Sequence, residues 1–379
     1  MKTVLHLERK FTSKTETFIV NQINTIKNYN VIVATICDTK LLPCEKQIIT
    51  PQNISFISRG AKYLSSKTAD DLNRQLKKYK IDLIHTHYLV DAIFFSKLTK
   101  LFAVPKICST YGYDVSSFPN YYMGIPKLFL RNIFKEYDYF LAMSEDMKND
   151  ILKLGCKTNK IIVHYYGSDI KRFLYTNRSF EKNGKIKILS VGTIEEKKGQ
   201  HLVIDALNII RNNGLQFEYH IIGMGDYLSI CKEKVNHYDL KDSVFFHGHI
   251  PYVDDRLVTF YKDANIFVLP SIVDRLKSKE GITGTVVEAM ASSLPVISTY
   301  HAGIPYIIEN GKQGLLVKER DADGLARAIL ELINNIELRK MLGENAQKKA
   351  VQELDLYRGT ERLEKIYEDI INRRDIAKD

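Results

Sequence analysis

Short apolar, β-branched runs separated by amphipathic stretches recur from one end of the chain to the other. In the first half the runs are TVLHL (3–7), VIVATI (31–36), ISFI (54–57), IDLIHTH (81–87), PKICST (105–110), YFLAMS (139–144) and IIVHYY (161–166). Helical spacing of apolar positions fills the gaps, as in TETFIVNQINTIKN, TADDLNRQLKKYK and SEDMKNDILKL. Strand runs alternating with helical periodicity predict an α/β class fold built on a parallel, doubly wound sheet.

At KRFLYTNRSFEKNGK, residues 171–185, the pattern gives way to polar, charged sequence that reads as a linker. It restarts with IKILSVG (186–192), EYHIIG (218–223), VFFHG (244–248), NIFVLPS (265–271), PVIST (295–299) and GLLV (314–317). Two Rossmann-like domains of similar size follow, 1–170 and 186–355, with the final helix, 356–379, expected to pack back on the first. A chain of 379 residues matches two domains at roughly 100 to 200 residues each. Ligands of open α/β sheets sit outside the carboxyl ends of the strands, so functional residues are expected where two such domains face a cleft.

One segment concentrates chemistry. In KEGITGTVVEAMASSLPVIST (279–299), Gly281, Gly284 and the β-branched residues around them disfavour helix, whereas VVEAMASS favours it. Glu280 is therefore expected in a loop and Glu288 in the early turns of a helix, with Thr283 or Thr285 as N-cap. Glycines let a ligand approach the backbone closely, and the positive end of a helix attracts phosphate. An anion seat flanked by two carboxylates suits a ligand carrying both phosphate and hydroxyls, as a nucleotide sugar does. The plain alternative is a strand, loop and helix with solvated glutamates. Upstream, ILSVGTIEEKKGQHLVIDAL (188–207) places a turn at Gly192 and offers Lys197 or Lys198 to a diphosphate. IIGMGDY (221–227) resembles half of a dinucleotide fingerprint but lacks the third glycine in register, so a plain turn is the better reading.

Charge adds a partner question. Residues 1–180 carry a balance of +12 and residues 181–379 a balance of −2. The basic half should face something anionic, and nucleic acid or an anionic membrane surface both qualify; lysines that merely maintain solubility are the bland reading. A nucleic-acid-binding protein, however, needs a reading helix or an aromatic platform, and neither is recognisable. In MGIPKLFLRNIFKEYDYF, Lys127, Arg131 and Lys135 share a helix face, with Leu128, Phe129, Ile133 and Phe134 elsewhere around it. That helix reads equally as one lying on a membrane or as one packed in a core with a solvated basic face. No run reaches the roughly 18 apolar residues of a membrane span. The beginning, MKTVLHLERKFTSK, becomes charged before a signal-peptide core develops; a cytoplasmic protein is expected. Cys37, Cys44, Cys108, Cys156 and Cys231 lack CxxC spacing, so free thiols are expected rather than disulfides or a zinc site.

Taken in order, VGTIEEKKGQHLVIDAL, HIIGMGD, VFFHGHI, IFVLPS and EGITGTVVEAMASSLPVISTYHAGIPYIIENGKQGLLV resemble the retaining glycosyltransferases of family four, which have the GT-B fold. The resemblance covers nearly the whole chain. It rests on two glutamates separated by seven residues, followed by Ala-Met-Ala, Pro-Val and Gly-Ile-Pro elements. In the first half TETFIVNQI, IDLIHTHY, STYGYD and AMSEDMKNDILKLG look most like members that build exopolysaccharide, O-antigen and capsule.

The resemblance implies roles. Glu280 would hold hydroxyls of the donor sugar near the reacting carbon, and Glu288 would accept from the ribose. Gly281, Ile282, Thr283 and Gly284 would present N–H groups to the diphosphate, Lys198 would neutralise the leaving phosphate, and Gly192 and Thr193 would line the donor side. Gly248, His249 and Ile250 would frame the base. Tyr111, Gly112, Asp114 and His87 would lie on the acceptor side. The donor would be a UDP- or GDP-linked sugar acting as co-substrate, with no cofactor and no metal, and the acceptor a saccharide, commonly lipid-linked. Negative charge grows on the diphosphate as the glycosidic carbon becomes oxocarbenium-like, so fixed donors and cations there lower the barrier. An NDP-sugar epimerase of similar architecture is the enzymatic alternative.

Two positions depart from the family pattern. Thr193 stands where the family usually has Arg, leaving Arg275, Lys277 or Lys279 to substitute. Tyr111 stands where it usually has His, and a phenol is a poor base near neutral pH. His85 and His87 are expected on opposite faces of their strand, one toward the cleft and one packed, which argues against a two-histidine metal site.

Overall fold

The computed structural model describes all residues except 13–16, 53–63, 176–177, 179–184, 212–214 and 377–379. The chain divides into two units, Met1–Gly167 with Leu356–Asp379, and Ser168–Asp355.

The first unit holds seven parallel strands: β1 (Thr3–Leu7), β2 (Asn30–Ala34), β3 (Gln47–Ile49), β4 (Leu83–His87), β5 (Lys106–Ser109), β6 (Tyr139–Ala142) and β7 (Ile161–Val163). Their order across the sheet is β3-β2-β1-β4-β5-β6-β7. The direction of winding therefore reverses between β1 and β4, the place where doubly wound sheets receive ligands. The run at 139–144 stops short as a strand because Ser144 leaves it to cap the helix Glu145–Lys153, its hydroxyl accepting the Met147 N–H. Strand β3, a three-residue Gln-Ile-Ile in polar surroundings, has no periodicity to announce it. The run at 54–57 lies outside the described residues.

The helix Leu356–Ile376 belongs to this unit. Its Leu363, Tyr367, Ile370 and Ile371 are buried with Val4, Ile19, Ile23 and Val33, and its Glu364 accepts the N–H groups of Lys27 and Asn28 just beyond the helix Thr17–Thr25. Thus a segment remote in sequence closes one face of the first sheet.

The second unit repeats the plan with β8 (Ile186–Val191), β9 (Phe217–Ile222), β10 (Val244–Phe246), β11 (Ile266–Val268), β12 (Val296–Thr299) and β13 (Gly314–Val317). All are parallel, in the order β10-β9-β8-β11-β12-β13. Its switch point lies between β8 and β11. Apolar residues of β8, β9 and β11 pack on the helices Gln200–Arg211 and Ala322–Asn334, forming a continuous core.

The stretch read as a linker is anchored where it is described. Phe173 is buried against Tyr252 and Tyr261, Arg172 donates to the Tyr252 and Val253 carbonyls, and Arg178 donates to the carbonyls of Tyr261, Ala264 and Ser292. Polarity misled the reading because a guanidinium has five donors and satisfies buried carbonyls as readily as it binds water. Residues 176–177 and 179–184 of that stretch lie outside the described residues. All five cysteines are free thiols. Among the described residues no helix is long and apolar enough to cross a membrane.

Candidate active site

In the second unit three loops meet after β8, β9 and β10. Gly192 (φ +148°) turns the chain out of β8. A Cβ at Gly223 would collide with the Gly192 carbonyl oxygen and one at Gly225 with that of Ile194. The loops are zipped by Ile194 N–H to the Met224 carbonyl (3.0 Å), Tyr227 N–H to the Ile194 carbonyl (2.9 Å) and Gly223 N–H to the Gly248 carbonyl (2.8 Å). The Gly223 and Gly225 pair is thus explained by loop packing and needs no dinucleotide. Thr193 and His249 are exposed and Ile250 is buried.

Glu280 lies in the loop between β11 and the helix Gly284–Ala291. Its Oε2 is 2.9 Å from Lys198 Nζ and its Oε1 3.5 Å from Lys197 Nζ, and Oε1 has no hydrogen-bond partner among the described residues. Burial alone would raise this carboxyl, but the two ammonium groups override it and hold it down at about 2. Glu280 is a fixed anion in a largely buried site. Lys198, assigned by resemblance to the leaving phosphate, is brought instead onto Glu280.

A second set of contacts fixes the Glu280 loop. The Glu280 N–H donates to His301 Nε2 (3.1 Å), His301 Nδ1 lies 2.6 Å from Glu319 Oε1, and Glu319 Oε2 accepts the Val273 N–H (2.9 Å). This network assigns the proton of His301 to Nδ1. His301 and Glu319 follow β12 and β13, so the loop is stapled at both ends to the neighbouring strands. Gly303 completes the fit, since a Cβ there would stand 2.8 Å from Ile282 Cγ1. Arg275, a candidate to replace the missing arginine, is exposed and pairs with Glu196 (3.3 Å) and the Tyr227 hydroxyl (2.8 Å). Lys277 is exposed and Lys279 half-buried.

Thr283 occupies the N-cap position of the helix Gly284–Ala291, but its side chain makes no cap hydrogen bond. The Oγ1 atoms of Thr283 and Thr285 have no partner and are shut away from solvent. A cap was expected from Thr283 or Thr285; instead, among the described residues, the N-cap side chain accepts no N–H of the helix, and two hydroxyls stand unsatisfied beside it. Such groups are costly unless a ligand meets them. Glu288, the fifth residue of that helix, is buried and accepts from the Tyr261 hydroxyl at 2.7 Å. Burial pushes its carboxyl up to about 7, against the opposing pull of Tyr261 and Arg172. The two glutamates are therefore held in different states: one ionised by lysines, the other near half-protonation.

The first unit carries the residues expected on the acceptor side. His87 Nδ1 is 2.6 Å from the Tyr111 hydroxyl and its Nε2 2.9 Å from His6 Nδ1. His85 Nδ1 is 2.6 Å from the Tyr367 hydroxyl and its Nε2 2.7 Å from Ser109 Oγ. Both histidines are fully buried, their rings stacked with centroids 4.5 Å apart. The expectation of opposite faces fails for a simple reason: residues two apart in a strand share a face. Burial lowers all three imidazoles, His87 to about 3, so the cluster is neutral. Ligand atoms of His6, His85 and His87 lie within 4.8 Å of one another. Their ring nitrogens, however, are engaged in hydrogen bonds with one another and with Tyr111, Tyr367 and Ser109. The geometry is that of a hydrogen-bonded array. Asp114, fully buried, accepts the N–H groups of Tyr111, Gly112 and Leu89, each at 3.0 Å. It shapes the turn at Gly112 (φ +132°), and being buried it is not poised to meet a sugar itself. Sequence reasoning missed His6, Tyr367, His301, Glu319 and Tyr261; only His6, a polar residue inside an apolar strand, carried any signal.

Comparison with known proteins places the chain in a family. Residues 172–349 match the model for glycosyl transferases group 1, and residues 25–172 that for glycosyltransferase family 4. A putative colanic acid biosynthesis glycosyltransferase, WcaL of Salmonella typhimurium, is 32% identical over 66% of this chain and 61% of its own length. The chain thus spans about three-fifths of that relative. An uncharacterized glycosyltransferase of Methanocaldococcus jannaschii, MJ1178, is 31% identical over 70% of each chain. Among solved structures, Anabaena Alr3699/HepE in complex with UDP superposes with a TM-score of 0.78 at 17% identity, covering 97% of this chain and 100% of that one. That likeness concerns the fold, which is GT-B. Matched across both units by family models and by relatives above 30% identity, the chain belongs to the group 1, family 4 glycosyltransferases.

Proposed function

We propose that the protein is a retaining glycosyltransferase that moves a sugar from a UDP- or GDP-linked donor to a saccharide acceptor, lipid-linked at the inner membrane face, in bacterial surface polysaccharide synthesis. One observation carries the reading: an ionised, largely buried Glu280, one of whose oxygens meets a lysine only at ion-pair distance, stands four residues before a helix whose opening hydroxyls, Thr283 and Thr285, lack hydrogen-bond partners among the described residues. Glu280 accepts from sugar hydroxyls. The diphosphate takes the N–H groups of Gly284 and Thr285 and the two threonine hydroxyls, with Lys197 and Lys198 held nearby by Glu280. Glu288 accepts from the ribose once its proton leaves. The HepE structure with UDP and glucose supports a nucleotide-sugar donor, and the colanic acid relative supports a polysaccharide product.

Retention follows from attack on the face that the diphosphate leaves. The acceptor hydroxyl oxygen bonds to the anomeric carbon, the bond to the diphosphate oxygen breaks, and the hydroxyl proton passes to that oxygen. No protein nucleophile is needed, and the nucleotide sugar is a co-substrate rather than a cofactor. Titration calorimetry with UDP, GDP and ADP tests the donor site, with Glu288→Ala as control. Binding of one nucleotide, weakened in the variant, is the expected result; heat-silent titrations with all three would remove the donor-site reading.

A further inference from the structure

The helix within MGIPKLFLRNIFKEYDYF, 123–140, reads two ways from sequence, and the structure divides the apolar residues in and just before it. Pro126, Leu130, Ile133 and Phe134 are buried on the inner side of the helix Ile125–Glu136. Tyr121, Met123, Ile125 and Leu128 are exposed, Leu128 at 61% and Met123 completely. Four large apolar side chains within eight residues are left to solvent, more than scattered exposure explains. Met123 and Gly124 both have positive φ (59° and 82°), a conformation uncommon for a non-glycine residue, and they form the tip ahead of the helix.

Charge on the same surface has one sign. Lys127, Arg131 and Lys135 are exposed and form no ion pair among the described residues. At 100° per residue they fall beside Leu128 on the outer face. Asp114, the only carboxylate between residues 101 and 135, is fully buried. The next two are engaged: Glu136 accepts the Thr99 hydroxyl and Asp138 the Lys106 N–H. An apolar tip bordered by long-stemmed, unpaired cations fits the boundary between acyl chains and anionic headgroups.

We propose that Tyr121, Met123, Ile125 and Leu128, bordered by Lys127, Arg131 and Lys135, form a docking surface for an anionic lipid bilayer. The proposal rests on the reading that the acceptor is lipid-linked, for which a docked first unit would keep the Tyr111 and Gly112 side of that unit supplied with membrane-bound substrate. Each basic residue near an anionic leaflet contributes about a fivefold gain in partitioning, so neutralising three lowers it about 100-fold.

The test is co-sedimentation of the full chain with vesicles of mixed phosphatidylcholine and phosphatidylglycerol, against vesicles of phosphatidylcholine alone, with no nucleotide present. Binding to the anionic vesicles that weakens with salt, falls about 100-fold in K127Q/R131Q/K135Q and falls at least about tenfold in M123S/L128S is expected. Both variants alter exposed side chains, and unchanged circular dichroism and nucleotide binding show that each is folded. Indifference of the wild type to both vesicle types overturns the proposal, as does wild-type binding by either variant. Concentration-dependent self-association abolished by M123S/L128S would reassign the patch to a protein contact. Because no donor is present, loss of vesicle binding with intact nucleotide binding removes this inference alone, and the reverse pattern removes the donor reading.

Discussion

The two units wind their sheets in the same order yet treat the polar residues near their switch points in opposite ways. In the first, His6, His85, His87, Tyr111, Tyr367 and Ser109 satisfy one another, and desolvation keeps the imidazoles neutral. In the second, Glu280 is kept charged, and its Oε1 and the hydroxyls of Thr283 and Thr285 have no hydrogen-bond partner among the described residues. A closed array stabilises its own unit. An open one stores unmet hydrogen-bonding capacity that a ligand can use. The same topology therefore supports a positioned wall in one unit and a binding site in the other.

The sharpest break of this contrast is Glu280→Ala. It strands the ammonium group of Lys198 in a largely buried site, whereas Lys197 keeps Glu195 at 3.1 Å; the loss costs about 3 kcal/mol of stability, and removing a group facing the reacting sugar lowers transfer about 100- to 1,000-fold. Urea unfolding and sugar release from the donor measure the two losses, and a variant as stable as the parent would show that Lys198 never depended on Glu280. The sign in pH follows from the same pair. Glu280 is depressed from its ordinary 4.5 to about 2, so its contribution is present above about pH 4.5 and disappears as pH falls toward 2.

Tyr367→Phe probes the closed array. It removes the partner of His85 Nδ1 and leaves a buried imidazole nitrogen unsatisfied, costing about 2 kcal/mol. Nucleotide affinity should stay unchanged, since Tyr367 belongs to the first unit; an unaltered denaturation midpoint would contradict a mutually satisfied network.

A smaller effect comes from Glu288, whose shift has the opposite sign. With its carboxyl raised from 4.5 to about 7, the ligand-free fold loses stability as pH rises through that window, because there the native state holds a proton the unfolded state has released. If ribose takes the ionised form, nucleotide affinity gains about tenfold between about pH 6 and about pH 8. Calorimetry in buffers of different ionisation enthalpy should register proton release at the acidic end. A flat profile would separate Glu288 from the ribose. Least of all, Thr283→Val removes a hydroxyl that has no partner, so stability should change by less than about 1 kcal/mol while nucleotide affinity falls about fivefold. Equal loss of both would mean that the hydroxyl serves the fold.

Much of this was legible in the chain. The alternation of strand runs and helical periods predicted two doubly wound sheets, and the glycine-rich span between Glu280 and Glu288 marked the loop-to-helix transition seen at Gly284. Local patterns encode these features because strand and helix periods are properties of neighbouring residues. Thr283 shows the limit: its residue type predicts a cap, yet whether a hydroxyl caps depends on what surrounds it.

The sequence by itself determined the fold class, the two-sheet organisation and the glutamate-bearing segment. Only the tertiary structure decided that Lys198 lies on Glu280, that His301 and Glu319 staple the loop, that Tyr367 from the last helix completes a histidine array begun at His6, and that the carboxyls of Glu280 and Glu288 are shifted in opposite directions. Those outcomes depend on burial and on partners up to 361 residues apart, and desolvation and charge pairing act through space, where residue spacing carries no information about them.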